Sequence, residues 1–269
     1  MPPYRPRQCQ RDAGQCAVLG FRSTDGGGVS IWGKVVGGVA GFAIGGPLGA
    51  ILGAIAGHAL DGARGRAAHD LESERLAFAA AAIVLGAKMA KADGAVVRDE
   101  INAFKRVFRI PPEEVGAVSR LFNVAKREPG GYEPYARQMA RIFADRPAVL
   151  EELLDALLHI AKADGAVHPA ELAYLGAVAR IFGFSDADFQ RIRAEGERPE
   201  EVDPYAVLGL VQSSSEVEIK SAYRKLTREN HPDRLIAQGV PTELVELANE
   251  KMAAINAAYD RIARDRGLK

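Results

Sequence analysis

The sequence predicts an all-α protein with a membrane helix in front, and three observations carry that expectation. From about residue 71 onward, apolar residues recur at helical spacing and strand-like alternation is absent. Residues 35–60 contain no Asp, Glu, Lys or Arg. Near the C-terminus, two amphipathic segments flank a His-Pro-Asp turn. The expected order is a glycine-rich transmembrane helix, a bundle of seven helices and a C-terminal helical hairpin. Composition narrows the function. The 35 basic and 35 acidic residues cancel, which argues against a nucleic-acid partner held by bulk electrostatics. Two cysteines, Cys9 and Cys16, exclude a disulfide-stapled scaffold and any four-cysteine zinc site.

Residues 1–28 fit the membrane reading poorly. Arg5, Arg7, Arg11 and Arg22 place positive charge ahead of the span, whereas the positive-inside rule wants it on the side of a cytosolic domain. The expectation is a disordered or mis-assigned extension, with translation starting at Val29. The anchor is expected over residues 29–62. Its 26 charge-free residues exceed the roughly 20 that a membrane helix needs. Trp32 and Lys34 suit the headgroup zone at its start. Gly37, Gly41, Gly45, Gly49 and Gly53 recur every fourth residue. On a helix of 3.6 residues per turn they form a side-chain-free stripe, which lets two helices approach closely in lipid. A homodimer through this helix is therefore expected, with membrane lipid as the other partner. Gly45-Gly46-Pro47 leaves a re-entrant hairpin as the alternative to a single span.

The middle domain is expected over 71–198. Leu76, Ala79, Ile83, Gly86 and Ala90 share one helical face, as do Leu150, Leu154, Leu157 and Ala161. An internal repeat lies within it. Ala90-Lys91-Ala92-Asp93-Gly94-Ala95-Val96 recurs as Ala161-Lys162-Ala163-Asp164-Gly165-Ala166-Val167. Each copy is followed by an acidic residue at matching distance, Glu100 and Glu171. In each copy one helix is expected to end, Asp-Gly to turn, and the next to start, with Pro169 in the first turn of the second copy. Asp93, Glu100, Asp164 and Glu171 admit a divalent-ion site or, more simply, turn and cap chemistry. The spacing is not that of an EF-hand. His159 and His168 read as helix-packing and cap residues. No resident metal and no cofactor are called for.

The C-terminal domain is expected over 203–269. Asp203 caps a short helix with Pro204 in its first position. Ser213-Ser214-Ser215 offers caps for the next helix, with Glu216 or Glu218 placed for a capping box. That helix, residues 216–230, carries an apolar stripe of Ile219, Ala222, Tyr223 and Leu226. Lys220, Arg224 and Arg228 lie opposite, four apart, with Lys225 beside them. His231-Pro232-Asp233 ends it, since the residue before proline disfavours helix. After a loop over 234–241, Pro241-Thr242 opens a long helix with a stripe of Leu244, Leu247, Lys251 (through its stem only), Ile255, Ala258, Tyr259 and Ile262.

The repeated Ala-Asp-Gly turn with its helices resembles the TerB family, which is linked to tellurite resistance. The capped short helix with Tyr205-Ala206-Val207-Leu208-Gly209, the basic-faced helix, the His-Pro-Asp turn and Ile255-Asn256-Ala257-Ala258-Tyr259 resemble a J domain. The whole arrangement resembles the DjlA family of membrane-anchored DnaJ-like co-chaperones. That resemblance implies no enzyme but a regulator. Its J domain would bind a DnaK-type chaperone and stimulate its ATPase through His231, Pro232 and Asp233, with Lys220, Arg224, Lys225 and Arg228 meeting an acidic partner surface. It implies a single-pass protein of the bacterial inner membrane, with the TerB-like and J domains in the cytoplasm and effects on envelope signalling and capsule synthesis. The rival reading is a membrane-bound stress or metal-response scaffold acting through the TerB-like repeats.

Overall fold

A computed structural model describes residues 66–92, 98–127, 131–162, 167–196 and 202–268. Residues 1–28, the anchor expected over 29–62, its five glycines, Asp93 and Asp164 lie outside the described residues. Among those described there are only helices. Seven fall in the middle domain: α1 (Arg66–Ala92), α2 (Arg98–Val107), α3 (Val115–Arg127), α4 (Glu133–Ile142), α5 (Pro147–Ala161), α6 (Pro169–Phe182) and α7 (Asp186–Glu195). The C-terminal part holds α8 (Pro204–Val207), α9 (Glu216–Glu229), α10 (Pro232–Ala237), a 3-10 turn (Thr242–Leu244) and α11 (Val245–Arg266).

The bundle is built around α1, which packs against α3, α4, α5 and α6. The single apolar face expected for α1 understates its burial. Val84, Leu85, Ala87 and Met89 are buried as thoroughly as Ala79, Ile83 and Ala90. From Ala77 to Ala87 the helix is apolar all round, as befits the middle of a core, and its many alanines let four neighbours approach. The α5 helix is central too: Leu150, Leu153, Leu154, Leu157 and Leu158 are buried, and so are Glu151, Glu152 and Asp155. Helix ends follow local chemistry. His168 and Glu171 form a reciprocal capping box on α6, Ser185 and Asp188 another on α7, and Gly183 closes α6 at φ +92°.

The C-terminal hairpin has its own small core of Tyr205, Leu208, Ile219, Leu226, Ile255 and Ile262, which Ala194 of α7 joins. Its other apolar residues belong elsewhere. Leu235, Val240, Leu244, Leu247 and Ala248 pack into the bundle's core. The division expected between 198 and 203 is therefore crossed by apolar packing in both directions.

Polar contacts fasten the same joint. Arg146 grips both Glu74 oxygens at 2.6 and 2.7 Å and donates to the Gln238 carbonyl at 3.1 Å. Arg75 donates to the Ile236 carbonyl at 3.0 Å, and Arg109 pairs with Glu246. Gly239, at φ +107°, sits so close that a Cβ there would lie 3.2 Å from Phe143 and from Glu74. Its positive φ favours glycine, and any Cβ would crowd Phe143 and Glu74.

At the centre lies a buried ion cluster. Lys251 of α11 donates to Glu151 at 2.5 Å and lies 3.4 Å from Glu195. Arg191 pairs with Glu151 at 2.6 Å and with Glu195. This corrects the stem-only reading of Lys251: its side chain is 1% exposed, ammonium included. Glu195, near the end of the middle domain, is likewise buried, with its carboxylate in the cluster. Burial pushes Glu151 up, but Lys251 and Arg191 overcome that and hold it well below the usual carboxylate range. Burial raises Glu152 to about 8; Lys251 opposes the rise and the neighbouring Asp155 and Glu151 add to it. Neither Glu152 oxygen has a hydrogen-bond partner among the described residues. Burial alone would lower His159, but its hydrogen bond to Asp155 and that residue's charge raise it to about 9. Burial also raises Glu195 to about 7 against the pull of Lys251 and Arg191. Four carboxyl groups thus face three cations, and Glu152 and Glu195 are the two that hold a proton most readily.

A pH dependence follows. Unfolded, Glu152 and Glu195 release their protons near 4.5 and His159 near 6.5; folded, they hold them to about 8, about 7 and about 9. Between 6.5 and 9 the folded chain binds more protons than the unfolded one, so stability falls as pH rises. The melting temperature is expected to drop across that window, and to drop less in Glu152→Gln. A flat profile in the parent protein, or an unchanged slope in the variant, contradicts this account.

Candidate functional site

The site is built on α9. Ser215 caps it by accepting from the Glu218 N–H, while Glu218 accepts from the Ser215 N–H at 2.6 Å. Glu216 and Glu218 in the first turn and Arg228 in the last both oppose the helix dipole. Ile219 and Leu226 are buried against α11. Tyr223 stacks on Tyr259 at 4.1 Å and donates to Asn256 Oδ1 at 3.0 Å. These contacts fix the rotation of α9. Arg224, Lys225 and Arg228 are left exposed, and Lys220 is half-buried in an ion pair with Glu216 at 2.5 Å.

Where α9 ends, Asn230 turns inward. It is 1% exposed and its Nδ2 donates to the Leu226 carbonyl. His231 then adopts an extended conformation, φ −63° and ψ 128°, as proline requires of the residue before it. Its Nδ1 accepts from the Asp233 N–H at 3.2 Å and so caps α10. Pro232 occupies the first helical position, where its missing N–H costs nothing. The His231 and Asp233 side chains are 55% and 91% exposed. Two residues on, Leu235 is 1% exposed in the bundle core. The tripeptide is therefore pinned from both sides while its two polar side chains face solvent. Arg234 adds a hydrogen bond to the Arg228 carbonyl at 3.4 Å.

Of the seven expected residues of α9 and the turn, Arg224, Lys225, Arg228, His231 and Asp233 are exposed and Lys220 and Pro232 are half-buried. The structure corrects the loop expected over 234–241, whose first part is helical. The signals for α10 were present in an N-capping side chain, Pro at the first position and Asp in the first turn. The sequence did not mark Asn230 and Leu235, which flank the turn and are buried, or the burial of Lys251. Of the candidate ion-site residues, Glu171 is buried and accepts the His168 N–H at 3.0 Å. Among the described residues no group of three or more His, Cys, Asp or Glu side chains could hold a metal ion.

A basic-faced helix, an exposed His-Pro-Asp turn and a packed return helix define a J-domain protein. The comparisons agree and go further. The family model for the DnaJ domain matches residues 203–266, that for tellurite resistance protein TerB residues 79–194, and that for the co-chaperone DjlA transmembrane domain residues 29–68. The chain is 30% identical to co-chaperone protein DjlA of Photobacterium profundum over 89% of its own length and 100% of that protein's. It is 31% identical to the DjlA of Vibrio cholerae, over 89% and 99%, and 30% identical to that of Escherichia coli K12, over 88% and 99%. No solved structure matches. The chain belongs to the DjlA family of co-chaperones. The transmembrane match supports a membrane-anchored protein; no described helix is long and apolar enough to cross a membrane.

Leu235→Ala is expected to cost about 2–5 kcal/mol, the range for emptying a buried leucine site. Val217→Ala, at a residue 75% exposed, should stay within about 0.5 kcal/mol. Denaturant melts measure both, and equal effects would show that Leu235 does not anchor the turn.

Proposed function

We propose that this chain is a membrane-anchored regulatory co-chaperone whose J domain binds a DnaK-type chaperone and stimulates its ATP hydrolysis. The observation that carries the reading is the exposure of His231 and Asp233 on a proline-fixed turn beside Arg224, Lys225 and Arg228. A rigid turn offers directional hydrogen bonds without an ordering cost on binding. The basic residues speed encounter with an acidic partner surface. The protein does no covalent chemistry of its own. It acts from the bacterial inner membrane with both domains in the cytoplasm, dimerises through its glycine stripe, and bears on envelope signalling and capsule synthesis. The TerB-like bundle selects the target. The scaffold reading through an ion site is not taken up, since Glu171 already serves the cap of α6.

The test is DnaK ATPase stimulation by the full chain in lipid nanodiscs. His231→Gln is expected to leave the helical content unchanged and to abolish stimulation. Full stimulation by the variant overturns the mechanism.

A further inference from the structure

We propose that the TerB-like bundle is a rigid mount for the J domain, and that Lys251 is the positioning residue that locks the two together. This rests on the joint and not on the choice of chaperone. Both partners of the Lys251 ammonium, Glu151 and Glu195, come from the bundle. An ammonium group so deeply buried is tolerated only when paired, so Lys251 holds its place only while the domains are docked. The apolar side tells the same story. Leu235, Val240, Leu244 and Leu247 are part of the bundle's core rather than the hairpin's. A J domain swinging on a tether would expose them as one contiguous patch, which soluble surfaces avoid. The chain just beyond the His-Pro-Asp turn is fastened as well. The Ile236 and Gln238 carbonyls accept from Arg75 and Arg146, and a Cβ at Gly239 would lie only 3.2 Å from Phe143 and Glu74 of the bundle.

The mount leaves the other face free. Arg224, Lys225, Arg228, His231 and Asp233 stay exposed while the domains are docked. The joint therefore does not shield the motif. It sets the bearing at which a partner chaperone is received, relative to the bundle and whatever the bundle holds.

Amine-reactive labelling of the intact chain in nanodiscs, read by mass spectrometry, tests this without any chaperone. Lys251 is expected to react at least about tenfold more slowly than exposed Lys225, since it reacts only through local opening. Leu244→Asp is expected to bring Lys251 up to the rate of Lys225. Where that variant does not fold, Arg146→Glu, at the half-buried rim of the same joint, carries the same expectation. Wild-type Lys251 labelling as fast as Lys225 overturns the proposal, and so does protection that persists in a folded joint variant. The ATPase assay bears on the chaperone reading alone, so the two results separate.

Discussion

Lys251 is held between Glu151 and Glu195, with Arg191 bridging the same two carboxylates from the other side. Much else follows from that pairing. Glu151 lies on α5, one of the two helices at the centre of the bundle. Arg191 and Glu195 lie on α7, whose Ala194 enters the hairpin core. Arg191 also lies against the Gly209 turn, where φ is +69° and a Cβ would come within 3.0 Å of its Cδ. One ionic knot thus touches the bundle centre, its last helix, the first turn of the J domain and its longest helix. Such knots are costly to bury and more costly to break one member at a time. They add little net stability over an apolar core but favour one arrangement over its neighbours.

The His-Pro-Asp turn shows how that arrangement reaches the site. A turn made only of exposed polar residues would be mobile, and a partner would have to order it. Here Asn230 is buried on one side and Leu235 on the other, with only His231, Pro232, Asp233 and Arg234 between them. Proline fixes the backbone, the His231 ring caps the following helix, and Leu235 is seated in the bundle. The rigidity of the His-Pro-Asp turn is therefore partly supplied by the neighbouring domain.

The local features were readable from the sequence, and the long-range ones were not. Capping residues announced themselves at Ser215, Asp203 and His168, because a cap is chemistry within three residues. The seven bundle helices and the His-Pro-Asp turn were legible for the same reason. The depth of α1 was hidden: a face of Ala79, Ile83 and Ala90 looks alike on a surface helix and a central one. Lys251 was misread because a lysine on an apolar stripe normally buries its stem and keeps its ammonium in water. Its partners lie 100 residues away at Glu151 and 56 away at Glu195, and no local pattern links them. The buried acids of α5 were overlooked likewise, since Glu151, Glu152 and Asp155 would pass for the solvated face of any helix.

The molecule is thus a membrane-anchored chain that carries a J domain on a helical bundle, with Arg224, Lys225, Arg228, His231 and Asp233 exposed. Pulsed dipolar spin spectroscopy on the full chain in nanodiscs tests the mounting most directly. Labels would sit at the exposed positions 137 in the bundle and 265 in the J domain, with Cys9 and Cys16 replaced by serine. A single narrow distance distribution is the predicted result, and Lys251→Met should broaden it. A broad distribution in the otherwise unaltered chain, as a flexible tether would produce, contradicts the account.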